Sequence, residues 1–121
     1  MRHLLFFIAM LAATPAVAQN WVGVLKNTPA ERFDDEDLRI FMDTARKLLR
    51  DGKDNETVTW ENPDTKAGGE ITLLRSFESK GRPCKEVRVR NHAQGRKGDS
   101  KVSLCQVDGK WRMLSAQQLK K

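Results

Sequence analysis

The chain has 121 residues, 39% of them apolar and 31% charged, and 22 Lys and Arg against 16 Asp and Glu give a formal net charge of +6. That length allows one domain with one modest core. The single long apolar run lies at the N-terminus, so no transmembrane helix is expected beyond it. Charge is unevenly spread: residues 19–70 hold 8 basic and 12 acidic groups, residues 71–121 hold 13 and 4.

The first residues read MRHLLFFIAMLAATPAVAQN. Arg2, an apolar core from Leu4 to Ala13 and the small-x-small Ala16-Val17-Ala18 form a secretory signal peptide over residues 1–18. Cleavage is expected between Ala18 and Gln19. The core is too short to span a bilayer. The exported chain is therefore expected to be soluble, and periplasmic, outer-membrane-associated or secreted. Nucleic acid is excluded as a partner for its basic half, which leaves an envelope protein, an anionic envelope surface or plain solvent.

Residues 19–33 form an N-terminal arm in which Thr28, Pro29 and Glu31 suggest one capped turn. A helix is predicted over about 35–50. Asp34 caps it, Asp37 completes the box, and Phe33 and Leu38 occupy the hydrophobic-staple positions. Leu38, Phe41, Met42, Ala45, Leu48 and Leu49 recur at helical spacing, and Gly52 offers a left-handed stop.

After Gly52 the period changes to two. Val58 and Trp60 mark a first strand, Ile71, Leu73 and Phe77 a second, Val87 and Val89 a third. The stretch HAQGRKGD reads as a loop, and strands return at Val102 and Leu104, then at Trp111 and Met113. The fold class is α+β, with one main helix on an antiparallel meander of four or five strands. The domain is placed at residues 34–115, followed by a basic tail over 116–121 that is either frayed strand or short helix.

Asp108-Gly109 is a two-residue hairpin signal, because a type I′ turn needs positive φ at both central positions. It pairs Cys105 with Arg112 and Leu104 with Met113. Setting Cys84 opposite Cys105 pairs Val87 with Val102, apolar to apolar, and centres that hairpin on Gln94-Gly95. A one-residue slip would turn each apolar set to the wrong face. Both cysteines fall out of phase with these apolar residues, on the water-facing side. In an oxidising compartment they form a disulfide that contributes roughly 3 kcal/mol. Arg88, Arg90, Lys101 and Arg112 share that side and are expected to gather around the cystine as an anion- or partner-binding surface.

A search for chemistry finds little. His92 is the one histidine beyond residue 18. It lacks the further ligands of a zinc site and the partners of a nucleophilic set. The acidic run Asp34–Asp37 serves a helix start, and Asp51–Asn62 breaks the calcium-loop pattern at Val58 and Trp60. No metal site, cofactor or catalytic residue is expected.

Trp60-x-Asn62-Pro63-x-Thr65, Gly69-x-Ile71, Cys84-Lys85-Glu86, Cys105 and Asp108-Gly109-x-Trp111 occur in that order. The set resembles the C-terminal domain of the rickettsial seventeen-kilodalton surface-antigen family, over about residues 34–113. Similar domains occur in short exported proteins of alphaproteobacteria and other Gram-negative bacteria. The resemblance implies a non-enzymatic periplasmic or outer-membrane-associated protein. Better-known relatives carry a lipidated cysteine and a glycine-rich apolar segment, neither of which is found here. Two motif positions also differ: Thr65-Lys66 stands where the family has Thr-Gly, and Leu104 replaces a small residue. The expected function is binding to an envelope partner or anionic surface. The competing expectation is a small secreted enzyme or enzyme inhibitor using a helix–sheet cleft near His92.

Overall fold

The computed structural model describes residues 28–119. The signal peptide, its cleavage point, most of the N-terminal arm and the last two lysines lie outside the described residues. A 3-10 turn at Pro29–Arg32 leads into helix α1 (Asp35–Asp51). Five strands follow: β1 (Thr57–Glu61), β2 (Gly68–Ser79), β3 (Arg82–Ala93), β4 (Arg96–Val107) and β5 (Lys110–Leu114). A last turn, α2 (Ala116–Leu119), closes the described chain. The strands form one open antiparallel sheet in chain order, with α1 lying over β1 and β2.

The local chemistry explains the helix. The Asp34 side chain accepts from the Asp37 N–H at 2.7 Å, and Asp37 accepts from the Asp34 N–H at 3.0 Å. This reciprocal capping box satisfies two donors that no helical turn can reach. Phe41, Ala45, Leu48 and Leu49 are buried against Trp60, Ile71, Leu73, Val87 and Leu104. Of the two staple residues, Leu38 is exposed, while Phe33 packs on Trp60 and Phe41 with ring centroids 5.0 and 6.0 Å apart. An aromatic pocket offers Phe33 more contact than one leucine on the helix. Gly52 does not adopt a left-handed stop, since its φ is −76°. Its glycine is needed for proximity, because a Cβ there would stand 2.4 Å from the Leu48 carbonyl oxygen.

The sheet follows the expected register. Cys84 opposes Cys105, Val87 opposes Val102, Leu104 opposes Met113 and Gln106 opposes Trp111. HAQGRKGD is not a loop. It continues β3 into β4 through Gln94-Gly95, whose φ values of 50° and 78° make a two-residue turn like those at Lys80-Gly81 and Asp108-Gly109. Polarity misled here, because both sides of this hairpin carry hydrophilic side chains while its backbone pairs throughout.

One irregularity matters. Between Leu73 and Arg75 the β2 register shifts by a residue, so Arg75 opposes Glu86 and Phe77 opposes Cys84. The bulge turns Phe77 away from Ile71 and Leu73 onto the face opposite the helix. There the Arg75 guanidinium lies 4.4 Å from its ring centroid.

Candidate functional site

The face of the sheet away from α1 holds the predicted site residues. Cys84 and Cys105 are joined as a disulfide. They lie on the expected face but not in water, for their exposures are 1% and 0%. Phe77 and Leu114 share that face by register, and α2 folds back on it, with Ser79 Oγ donating to the Leu119 carbonyl at 3.0 Å. A small second apolar cluster therefore surrounds the cystine.

The four predicted cations share this face without ringing the disulfide. Arg112 opposes Cys105, whereas Arg88 and Lys101 oppose each other four positions further along their strands. Four residues of strand span about 13 Å, too far to gather at the cystine. Asp99 reorganises the cluster. Arg88 donates to both its carboxylate oxygens, at 2.8 and 2.5 Å, and Arg90 approaches at 3.4 Å. The Arg88 hydrogen bonds, helped by both positive charges, hold the Asp99 carboxyl down at about 2. Lys101 and Arg112 have no ion-pair partner among the described residues. Arg82 and Lys97 extend the basic strip along β3 and β4 by register.

His92 stands on this same outer face, between Gly68 and Lys97, and is exposed. Its ring lies across Gly68, where a Cβ would come within 3.3 Å of Nε2. The helix–sheet cleft expected near His92 is therefore not there, because strand alternation carries the side chain to the opposite side from α1. What His92 does line is an open trough of about 720 Å³ with Glu61, Glu70, Arg90, Lys97 and Asp99. Among the described residues no three His, Cys, Asp or Glu side chains converge as a metal site requires.

A separate polar network joins the helix start to the β1–β2 connection. Asp37 is 2% exposed and accepts from Asn62 Nδ2 at 2.8 Å and Thr65 Oγ1 at 2.6 Å. Burial on its own pushes the Asp37 carboxyl up. Hydrogen bonds from Thr65, the Asp34 N–H and Asn62 outweigh it, so the group stays below its ordinary value. Trp60 Nε1 donates to Asn91 Oδ1 at 3.1 Å, and a Cβ at Gly69 would strike the Arg90 carbonyl oxygen. Lys66 sits at φ 66°, in the left-handed region. The motif residues that looked diagnostic in the sequence thus hold the fold together.

Fold and site together define a small, disulfide-stapled α+β module with a charged outer sheet face. The sequence model of the 17 kDa outer membrane surface antigen family matches residues 47–112. The chain belongs to that family, whose description suggests an outer-membrane-associated envelope protein. The match begins near the end of α1, so the capping box lies outside it. No curated protein and no solved structure matches the chain. Among the described residues no helix is long and apolar enough to cross a membrane.

Proposed function

We propose that this is a non-catalytic envelope module that associates with an anionic surface through the outer face of β3–β5. The observation that carries the reading is the balance of charge on that face. Arg82, Arg88, Arg90, Lys97, Lys101 and Arg112 are set against Glu86 and Asp99, and Lys101 and Arg112 have no ion-pair partner among the described residues. The cations project from paired strands of one sheet, so binding orders little new backbone. An exported chain cleaved after Ala18 would deliver this face to the envelope.

Cosedimentation of residues 19–121 with vesicles tests the reading. Binding should require anionic lipid and weaken steadily with salt, since exposed charges are screened over about 8 Å at 0.15 M. Lys101→Glu/Arg112→Glu should lower it at least tenfold. Equal binding to neutral vesicles, or capture only of an acidic envelope protein in a crosslinking pull-down, would count against the lipid-surface form of the proposal.

A further inference from the structure

The other side of the sheet carries a second, chemically different feature. Helix α1 covers β1 and β2 but leaves a groove of about 500 Å³ beside the β4–β5 hairpin. Its apolar lining comes from Met42, Ala45 and Leu49 of the helix and from Leu104 and Trp111 of the sheet. Leu38, exposed one helical turn before Met42, continues that apolar flank. Arg46, Arg50 and Lys110 also line the groove, Gln106 is its neutral polar side chain, and no acidic residue lines it.

The walls are tied in place. The Lys85 ammonium donates to the Leu49 carbonyl and lies 5.5 Å from the Trp111 ring centroid, linking helix end, β3 and β5. The two arginines are held only by exposed neighbours: Arg46 is 3.7 Å from Asp43, and Arg50 is 3.1 Å from Asp51. Exposed pairs of this kind contribute little and are easily exchanged for another anion.

We infer that this groove binds a medium-chain fatty acid, with the acyl chain along Met42, Leu49, Leu104 and Trp111 and the carboxylate at Arg46 and Arg50. An apolar floor calls for an apolar ligand, and a lining that holds cations and no acid, with its arginines tied only by weak exposed pairs, calls for a negative head. The volume lies in the range of small-ligand sites. This site is independent of the outer-face reading, being on the opposite side of the sheet.

Titration of residues 19–121 with dodecanoate, kept below its aggregation concentration and followed by calorimetry and tryptophan emission, tests it. Saturable one-to-one binding is expected, with dodecanol at least tenfold weaker. Arg46→Glu/Arg50→Glu, at exposed positions that leave the fold intact, should lower dodecanoate affinity at least tenfold. Trp111→Phe should remove the emission change while binding persists by calorimetry. Lys101→Glu/Arg112→Glu should leave dodecanoate binding unchanged, so the two sites fail separately. Absent saturation, equal affinity for the alcohol, or unaltered binding by the Arg46/Arg50 variant would overturn the assignment.

Discussion

Asp37 and Asp99 are both held below the ordinary carboxylate range, yet they belong to opposite kinds of region. Asp37 is buried and stabilised by neutral donors from a helix cap and a loop. Asp99 is half exposed and stabilised by two guanidinium groups. The buried network is costly to disturb because Asp37 and Asn62 are both buried and would be left without partners. The exposed cluster can trade partners, because water and salt compete for every member. In this molecule the polar residues most recognisable in sequence serve architecture, and the tradable charges are left for contact.

The sharpest way to break that contrast is Asp37→Ala. It removes the acceptor for Asn62, Thr65 and the Asp34 N–H, and should cost about 3 kcal/mol in a urea melt at neutral pH. A loss as small as that of a surface substitution would show the network to be dispensable. Opening the staple comes next. Cys84→Ser/Cys105→Ser should cost roughly 3 kcal/mol or somewhat less, given that strands and apolar cover remain.

Acid offers a finer test. Asp37 has a depressed folded-state pKa, so its contribution is fully present above the ordinary aspartate value of 3.8 and is lost as pH falls through the lower folded value. Thermal melts from pH 5 downward should show an acid limb that flattens in Asp37→Ala. Lys66→Gly should then stabilise by about 1 kcal/mol, by relieving a left-handed lysine. The smallest effect on folding is expected for Asp99→Asn, with no resolvable change in urea midpoint. The same substitution releases Arg88 and Arg90, so adsorption to anionic vesicles should rise.

Legibility in the sequence differed by region. The pairing of Cys84 with Cys105 and of Leu104 with Met113 was readable because alternation and an Asp-Gly turn are local signals. Gln94-Gly95 carried the same turn signal, but the polarity of HAQGRKGD concealed the strands around it. The four candidate cations fall on the expected face, while the engagement of Arg88 and Arg90 by Asp99 was not anticipated. Arg90 lies directly opposite Asp99, whereas Arg88 reaches it diagonally, two positions from its own partner Lys101, a contact that directly opposed pairs do not reveal.

By itself the sequence determined the helix start, the strand order expected of a meander and the disulfide register, since each depends on residues a few positions apart or on strict alternation. Only the tertiary structure decided that Phe77 leaves the core at a bulge, that Asn62 and Thr65 close over Asp37, and that the helix leaves Trp111 half covered beside a groove. Those outcomes depend on how one helix settles across five twisted strands. That choice is made by summed packing between distant segments, which no short stretch of chain encodes.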